Sequence, residues 1–557
     1  MDLNPQEREK LDAVGRVLLL SYWAENSDLV MDGRTFSFKD HEYLVDIYQD
    51  SSPVKVFKKG AQLGFSTYEI LTAIHGCLNI YPTGVLYLFP TEKSVSRFSK
   101  GKFDTLVRQN PEAIGQYMGK VQTEMQKDIG PSTLYFAGSR TRDPLKTVSV
   151  DKVIFDEFDE MQAGVGRTGE DQSTRFDPVA LALERFSHSE FKHTDYLGTP
   201  LLPDFGIEAK FAESDQKHWF IQCPKCYKYT CLELTFPNCL QPTNDGRVIR
   251  ACSNCVGELN PSVGLWDALF KGKTDISGYY VSQLCSKYID PKLIYDTYNN
   301  LDTLTPLKRQ EFWNSKIGIG YIETQDRLSK QHIYELCEAV PMKSANVGDD
   351  EGVCVMGVDQ GNKLHVAIGK RTGEKTKKII HLGHYRNWED LDDLMYKFNV
   401  WRCVVDAQPE MRNARTFASR HRGKVFLNFY NRHMKGITRW NYNEMRVEEN
   451  RTESLDNSHN DIMYGFISLP RRSDEIEELA KHCTAIAKRL EEDPETGSKE
   501  YTYIKLSQND HYRHSLNYFC IAALEAPVSH RKEESKIEGF RFQAMQGEQK
   551  ELCNTYH

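Results

Sequence analysis

The chain has 557 residues, 39% hydrophobic and 27% charged, which is enough for several folded domains and argues against global disorder. The net charge of −8 argues against a protein that coats nucleic acid through a general basic excess. No apolar run reaches about 18 residues and no signal-peptide core is present, so we expect neither a membrane-spanning nor a secreted protein. The 14 cysteines are too sparse for a disulfide framework.

The first part of the chain, from about residue 37 to 200, alternates apolar runs with amphipathic stretches. This rhythm predicts an α/β fold with a parallel sheet. We predict a helix at 67–78 and strands at 53–57, 84–89, 151–155 and 194–197.

A glycine-containing loop follows the first of these strands and leads into the predicted helix. Such a loop can cradle an anion, because free backbone N–H groups and the helix dipole point at the bound group. Compared with the phosphate-loop pattern GxxxxGK[ST], Gly64 and Ser66 match, whereas Phe65 replaces the lysine. We predict that Lys59 supplies the lysine from the start of the loop and that Ser66 ligates Mg²⁺. The predicted ATP-binding residues of this loop are Lys59, Gly60, Ala61, Gln62, Leu63, Gly64, Phe65, Ser66 and Thr67.

Two adjacent carboxylates, Asp156 and Glu157, stand at the carboxyl end of the predicted strand 151–155. Ligands of open α/β sheets bind at this edge. We predict that Asp156 holds Mg²⁺ beside ATP and that Glu157 is the catalytic residue that orients or deprotonates the attacking water. Thr199, after the strand 194–197, is predicted to sense the γ-phosphate. The candidates for an arginine-finger role are Lys146, Arg140, Arg142 and Arg185.

Four cysteines form two CxxC pairs further along the chain. Four thiolates in paired turns meet the tetrahedral demand of Zn²⁺. A catalytic zinc would keep an open position and typically involve histidine or water, so we predict a structural site in which the nearby His218 is not a ligand. The predicted zinc ligands are Cys223, Cys226, Cys252 and Cys255.

The last third of the chain opens with three predicted strands, then a helix and a fourth strand, which is the order of an RNase H-like fold. Asp359 ends the first strand and Asp406 the fourth. Since these strands lie side by side in that fold, the two carboxylates are predicted to share a Mg²⁺ or Mn²⁺ site that cleaves phosphodiesters. A third metal ligand is expected from the late helix, where Asp510, also a predicted catalytic residue, His511 and His514 are the candidates.

These motifs together resemble the large terminase subunit of tailed bacteriophages, particularly the lambda-like branch. The resemblance is carried, in chain order, by KKGAQLGFS, VIFDEFDEM, YLGTP, CPKC with CSNC, GVDQ, VVDAQ and NDHYRHSLNY. It implies a motor that hydrolyses ATP to drive double-stranded DNA into a procapsid and a metal-dependent nuclease that cuts concatemeric DNA. It also implies a portal protein, a small terminase subunit, a homo-oligomeric ring and a location in the host cell cytoplasm.

The domain plan that follows is an α/β protein with a P-loop ATPase, a zinc-ribbon-like insertion and an RNase H-like nuclease. We predict an N-terminal helical segment at 1–36, an ATPase core at 37–215, a zinc-binding insertion at 216–257, a helical linker at 258–347, the nuclease at 348–527 and a tail at 528–557. Two alternatives remain: a helicase-nuclease of DNA repair, and a zinc-ribbon DNA-binding adaptor whose phosphate loop is vestigial.

Overall fold

The computed structural model describes residues 5–31, 33–140, 145–165, 177–186, 188–323, 326–346, 352–431, 434–492, 499–506 and 509–529. The chain divides into two compact units. Unit 1 comprises Met1–Arg327 and Ala485–Gln508, and unit 2 comprises Leu328–Thr484 and Asn509–His557. No helix in the described part of the chain is long and apolar enough to cross a membrane.

Unit 1 is built on one large sheet with a parallel centre and antiparallel edges. The predicted strands are present, and the strand that leads into the phosphate loop lies near the middle. In spatial order the strands are Tyr229–Cys231, Lys217–Gln222, Ser277–Val281, Val54–Lys59, His193–Gly198, Lys152–Phe155, Val85–Phe89, Ser132–Gly138, Gln126–Ile129 and Met118–Gln122, with Gly264–Ala268 paired to Lys217–Gln222.

The helices of unit 1 cover this sheet and its ends. The longest buried one is Phe65–Asn79, eleven of whose side chains are buried. The other α-helices are Pro5–Leu18, Leu20–Asn26, Val45–Gln49, Glu92–Phe98, Asp104–Gln109, Phe158–Val165, Pro178–Leu183, Gly206–Glu213, Leu232–Thr235, Pro291–Asn299 and Pro306–Glu311. Short strand pairs are Val30–Met31 with Arg34–Thr35, Leu240–Pro242 with Val248–Arg250, and Ile486–Glu492 with Lys499–Lys505.

The predicted helical linker at 258–347 is wrong in its first part. Strand Ser277–Val281 is completely buried and pairs in parallel with the phosphate-loop strand, so the sheet extends well beyond the predicted boundary at 215. The segment predicted as a separate zinc insertion likewise begins with a strand of this sheet, Lys217–Gln222. A five-residue strand buried on both faces has no alternating pattern, and periodicity therefore could not reveal it.

Unit 2 has a mixed sheet whose central strands run in the order third, second, first, fourth, fifth. The first three strands are antiparallel neighbours and the fourth is parallel to the first, which confirms the predicted RNase H-like arrangement. In spatial order the strands are Arg439–Asn441, Arg446–Glu449, Val425–Tyr430, Val400–Asp406, Cys354–Gln360, Leu364–Arg371, Lys377–Tyr385 and Ile467–Ser468.

The late helix of unit 2, His511–Leu524, packs directly on the first strand. A Cβ built on Gly357 would lie 2.1 Å from the backbone of Ser515 and Phe519, so only glycine allows this close approach. The remaining α-helices are Lys330–Glu335, Trp388–Lys397, Met411–Arg420, Arg451–Met463 and Asp474–Thr484.

The predicted nuclease limits of 348–527 also differ from the observed unit. Unit 2 begins at Leu328, and the hairpin within Ala485–Gln508 groups with unit 1. In the sequence, the hairpin stands between two helices of unit 2. The order of elements along the chain therefore does not reveal that it groups with unit 1. Of the predicted tail at 528–557, residues 530–557 lie outside the described part of the chain.

Candidate active sites

The phosphate loop runs from Gly60 to Gly64, between its strand and the helix Phe65–Asn79. Its backbone is left-handed at Gln62 (φ 61°) and Gly64 (φ 86°). The first two amides are used internally, because Gly60 N donates to Val281 O at 2.9 Å and Ala61 N donates to Ser315 O at 2.7 Å. Within the described residues, the amides of residues 62 to 66 have no acceptor. These amides, in the second half of the loop and at the start of the helix, can donate to a phosphate.

Hydrophobic side chains anchor this loop in the core. Leu63 and Phe65 are each 1% exposed, and the Phe65 ring packs against Phe57 at a centroid distance of 5.3 Å. Phe65 therefore offers a phosphate only its backbone N–H, since its side chain is part of the core. The replacement of the usual lysine by phenylalanine is explained by this packing.

The two lysines at the end of the strand have different surroundings, as expected when successive strand residues face opposite sides. Lys58 Nζ lies 2.8 Å from Glu208 Oε1 and 4.4 Å from the centre of the Tyr280 ring. Burial lowers the pKa of Lys59, and the charges of Asp156 and Glu157 oppose that shift. Lys59 is therefore the lysine that faces the carboxylates at the carboxyl edge of the sheet.

The predicted carboxylate pair lies at this edge as well. Asp156 is 6% exposed and accepts hydrogen bonds from the Tyr87 hydroxyl at 3.0 Å and the Glu157 amide at 2.9 Å. Burial raises the pKa of Asp156, and Lys59 opposes the shift. Desolvation, Glu160 and Asp156 together raise the pKa of Glu157 to about 7. A carboxylate with such a pKa is suited to accept a proton near neutral pH.

Thr199 lies between these two groups because of the strand order. The strand His193–Gly198 separates the phosphate-loop strand from Lys152–Phe155, and Lys58 pairs in register with Gly198. Thr199 thus follows the central strand of the three and enters the same edge of the sheet. The structure brings the predicted loop, carboxylates and threonine together along one edge.

The arginine-finger candidates are not equivalent. Arg185 is held at the amino edge of the sheet, because its guanidinium donates to Lys146 O at 2.8 Å and its carbonyl accepts from Val150 N. Arg185 and Lys146 are thus away from the carboxyl edge of their own sheet. Arg140 follows the strand Ser132–Gly138 and lies at the carboxyl edge. Arg142 is outside the described residues.

Two basic residues near this site were missed by sequence reasoning. Burial raises the pKa of Glu157 and of Asp156, and the charge of Arg97 opposes the rise at Glu157 while that of Lys102 opposes it at Asp156. Both belong to the helical segment after the strand Val85–Phe89, which ends at the same edge of the sheet. In the sequence, only their position shortly after a predicted strand that ends at this edge indicated that they could lie near the site.

A third missed residue, Asp159, connects the carboxylate pair to the segment after Thr199. Its carboxylate is buried and accepts the amides of Leu201 at 2.8 Å and Ile207 at 2.6 Å. A Cβ on Gly206 would lie 2.3 Å from Asp159 Oδ1, so the backbone closes tightly around this carboxylate. Burial raises the pKa of Asp159 to about 7, and the two amide donors oppose the shift.

The four cysteines of the CxxC pairs converge in unit 1. Their sulfur atoms all lie within 4.8 Å of one another, and the pairs Cys223–Cys255 and Cys226–Cys252 are each 3.6 Å apart. Sulfurs in tetrahedral zinc sites, with Zn–S bonds of about 2.3 Å, are about 3.8 Å apart. The residues present therefore fit a Zn²⁺ ion.

In unit 2, Asp359 and Asp406 lie opposite each other at the carboxyl ends of neighbouring parallel strands, one step beyond the paired Val358 and Val405. Burial raises the pKa of Asp359, the charges of Asp406 and Asp510 raise it further, and His511 opposes the shift. Burial also raises the pKa of Asp406. Three carboxylates in one buried region are stable together only when protons or cations compensate their charge.

The late helix brings all three candidates for the third ligand to this region. His511 Nδ1 lies 2.8 Å from Asp359 Oδ2, and His514 Nε2 lies 3.4 Å from Asp510 Oδ2. Asp510 is 5% exposed and precedes the first residue of the helix. Asp510, His511 and His514 therefore all remain candidates for the third ligand.

Two neighbours of Asp406 were not predicted. The hydroxyl of Tyr518, on the late helix, donates to Asp406 Oδ2 at 3.0 Å. Asn428 pairs with Asp406 across the sheet and is 2% exposed, and its side-chain N and O have no partner among the described residues. Only the strand register places Asn428 in the row of Asp359 and Asp406.

Comparison with known proteins gives a match to a family model described as "Phage terminase large subunit gpA, ATPase domain", over residues 43–262. Over residues 43–262 the chain is therefore similar to the ATPase domain of phage terminase large subunits. The match confirms the predicted terminase family, with its ATPase and its role in phage DNA packaging. It includes the phosphate loop, both carboxylates and all four cysteines, and it does not favour the helicase-nuclease or the adaptor.

Solved structures similar to this chain include three with low sequence identity. The large terminase of a thermophilic bacteriophage is 10% identical, covers 87% of this chain and 98% of its own, and has a TM-score of 0.30. The ATPase domain of the Thermus phage P74-26 large terminase is 10% identical, with coverage of 50% and 92% and a TM-score of 0.31. The nuclease domain of the large terminase subunit gp2 of bacterial virus Sf6 is 11% identical, with coverage of 35% and 98% and a TM-score of 0.25. No curated protein matches the chain.

The Asp159 contact yields a testable prediction. In Asp159→Asn the new amide can accept at only one of its two ends, so a buried backbone N–H loses its acceptor, at a cost of about 1–3 kcal/mol. We expect faster hydrogen exchange at Leu201 or Ile207 and a lower kcat for ATP hydrolysis with little change in KM. The control is Asp177→Asn, because Asp177 also accepts two amides but on the surface. Unchanged exchange at both amides would refute the role of Asp159.

Proposed function

We propose that this terminase hydrolyses ATP in unit 1 to move double-stranded DNA and cuts DNA phosphodiesters in unit 2. The observation that carries the proposal is that each unit gathers buried carboxylates at the carboxyl edge of a parallel sheet region. In unit 1 a lysine and a phosphate loop accompany them, and in unit 2 imidazoles accompany them. The first set suits a nucleoside triphosphate and the second suits a metal-dependent cut.

In the ATPase, the free amides of residues 62 to 66 bind the phosphates, and Lys59 neutralises their charge from the first position of the loop. Ser66 and Asp156 would hold Mg²⁺, which would supply positive charge to offset the negative charge that develops on the phosphates. Glu157 accepts the proton of the attacking water, since its raised pKa favours proton transfer near neutral pH. Thr199 contacts the γ-phosphate region.

Coupling to DNA movement follows from the contact of Asp159 with the backbone after Thr199. A shift of the Asp156–Glu157 turn on hydrolysis moves Asp159, and through it the amides of Leu201 and Ile207. The carboxylate pair and this segment thereby move as one body. Among the arginine-finger candidates, Arg140 is the one that we propose supplies a positive charge at the γ-phosphate, because it lies at the carboxyl edge of the sheet.

In the nuclease, Asp359 and Asp406 would hold divalent cations together with one of Asp510, His511 and His514. Such cations would supply the positive charge that activates water and stabilises the leaving oxygen of the phosphodiester. The Tyr518 hydroxyl fixes the orientation of Asp406, and His511 fixes that of Asp359. Mixed oxygen and nitrogen ligands make Mn²⁺ as suitable as Mg²⁺.

The family role supports the remaining proposals. The partners are a portal protein of the procapsid and a small terminase subunit, the working form is a homo-oligomeric ring on DNA, and the location is the host cell cytoplasm. The four-cysteine cluster binds a structural Zn²⁺ with Cys223, Cys226, Cys252 and Cys255 as ligands. The cluster lies at the end of the strand Lys217–Gln222, so the metal holds the edge of the ATPase sheet.

Neighbouring lysines provide the test of the ATPase. We expect Lys59→Ala to lower ATP hydrolysis by about two orders of magnitude or more, because a preorganised charge on the phosphates is lost. Lys58→Ala is the matched control: it removes the Lys58–Glu208 ion pair and lowers the thermal stability, while ATP hydrolysis remains. Steady-state ATPase assays with melting curves distinguish the two, and full activity in Lys59→Ala contradicts the proposed loop.

The nuclease is tested with Asp359→Asn, which keeps the shape of the side chain but removes a charged metal ligand. Plasmid cutting with Mg²⁺ or Mn²⁺ is expected to fall by about two orders of magnitude or more, because charge stabilisation at the leaving oxygen is lost. ATP hydrolysis stays unchanged. The control is Asp393→Asn, a surface carboxylate of the same unit that pairs only with Lys397. Cutting that survives in Asp359→Asn rules out this metal site.

The zinc site is tested by metal analysis. The purified chain is expected to contain one Zn²⁺, and Cys226→Ser with Cys252→Ser to contain none and to melt at a lower temperature, because structural zinc contributes directly to folding. Cys337→Ser, which changes a cysteine of unit 2, serves as the control. A chain purified without chelators that holds no Zn²⁺ would exclude the assignment.

A further inference from the structure

The phosphate loop of unit 1 contacts a short segment that follows the strand Ser277–Val281. The last residue of that strand accepts the Gly60 amide at 2.9 Å, and two residues later Gln283 donates from Nε2 to Ala61 O at 3.0 Å. A Cβ on Gly60 would lie 3.2 Å from the backbone nitrogen of Gln283. We call residues 282–289 the supporting segment, because they contact the loop at its first two residues.

A buried carboxylate fixes the start of the supporting segment. Glu233 is 8% exposed, and its Oε1 accepts hydrogen bonds from Ser282 N at 2.9 Å and from Ser282 Oγ at 2.8 Å. The thiols of Cys285 and Cys231 donate to the same carboxylate at 3.2 and 3.4 Å. These donors compensate the burial of the carboxylate. Glu233 therefore orders the backbone directly before Gln283.

A buried guanidinium fixes the rest of the supporting segment. Arg250 is also 8% exposed, and its Nε donates to Leu284 O. Its Nη2 donates to Ser286 O at 2.6 Å and to Ile289 O at 2.8 Å. The planar fork of N–H groups in arginine can reach several carbonyls at once, which the single ammonium of lysine does not reproduce. Arg250 therefore orders the backbone directly after Gln283.

Both of these charged residues belong to the part of the chain that carries the paired cysteines. Arg250 stands two residues before Cys252, and Thr230 stands three residues before Glu233. The Thr230 hydroxyl donates to Cys252 Sγ at 3.7 Å and accepts the Ser253 amide at 3.2 Å. Direct contacts therefore connect the four-cysteine cluster to the phosphate loop within unit 1.

The side chain of Gln283 has one satisfied and one unsatisfied end. Gln283 is 5% exposed, and its Oε1 is buried with no partner among the described residues. A buried polar atom without a hydrogen bond is unfavourable. A methionine of similar shape would avoid that cost, but it would not donate to Ala61 O. What glutamine adds at this position is therefore its hydrogen bond to the phosphate loop.

We propose that Gln283, held by Glu233 and Arg250, is a positioning residue that keeps the phosphate loop in its binding conformation. The inference rests on the proposed ATP site at this loop. A loop that is ordered before the nucleotide arrives binds it more tightly, because less conformational entropy is lost on binding. Since the loop contacts phosphates both before and during hydrolysis, its loosening raises KM for ATP and leaves kcat nearly unchanged.

The test compares Gln283→Met with Gln241→Met in the full chain, by calorimetric titration with ADP and Mg²⁺ and by steady-state ATP hydrolysis. We expect Gln283→Met to weaken ADP binding and to raise KM by about threefold to tenfold, the amount that one hydrogen bond provides. The Ala61 amide is expected to exchange faster, while the melting temperature stays close to that of the unmodified chain. Gln241→Met removes a comparable bond, to Asn238 O at 2.9 Å, and is expected to bind ADP normally.

A second pair of variants tests the residues that hold the supporting segment. Arg250→Lys keeps the charge but loses the fork, and it is expected to weaken ADP binding in the same way. Its control is Arg247→Lys, which changes an exposed arginine that pairs with Asp245. Glu233→Gln keeps an acceptor for the Ser282 amide, so we expect it to retain more ADP affinity than Glu233→Ala.

The outcomes separate this proposal from the proposed ATP site. The positioning role is wrong if Gln283→Met and Arg250→Lys both bind ADP with unchanged affinity while Lys59→Ala abolishes ATP hydrolysis. It is also wrong if Gln241→Met loses as much affinity as Gln283→Met, or if Gln283→Met lowers kcat without raising KM. Full ATP hydrolysis in Lys59→Ala would overturn the ATP site at this loop and the positioning role with it.

Discussion

Both units depend on the same electrostatic constraint: carboxylates are held without enough water at the carboxyl ends of parallel strands. Asp156 in unit 1 and Asp359 in unit 2 are buried there, and burial raises the pKa of each. Their charge needs compensation, and Lys59 opposes the rise in the pKa of Asp156 in the first unit, while His511 opposes that of Asp359 in the second. The rest of each unit supplies the strand order and the close packing that bring these groups together.

The two units satisfy the constraint in different ways. In unit 1 part of the compensating charge is built into the chain as Lys59, so in the proposed function a nucleotide with its own Mg²⁺ would complete the site. In unit 2 imidazoles adjoin the carboxylates, and Arg451 opposes the rise in the pKa of Asp406 only in part, so in the proposed function divalent cations would complete the site. This difference is the physical basis for assigning hydrolysis of a triphosphate to one and a metal-dependent cut to the other.

The packing around each site is as specific as its charges. Phe65 occupies the core, and the amides around it stay free for a phosphate. Gly357 lets the late helix touch the first strand of unit 2, and that approach brings His511 to Asp359. Asp159 fixes the backbone after Thr199 to the carboxylate turn. These contacts position the side chains and free amides of each proposed site on its sheet.

The sequence by itself determined the strands that carry the carboxylates, the deviant loop with Lys59, the paired cysteines and the RNase H-like strand order, because each of these is local or repeats at a fixed spacing. Only the tertiary structure decided that Ser277–Val281 completes the first sheet, that the hairpin after Thr484 groups with unit 1, and that Asn428 and Tyr518 adjoin Asp406. Those facts depend on register and on contacts between distant segments. Such contacts leave no periodic trace in the sequence, since a buried strand or a single polar side chain looks the same wherever the fold places it.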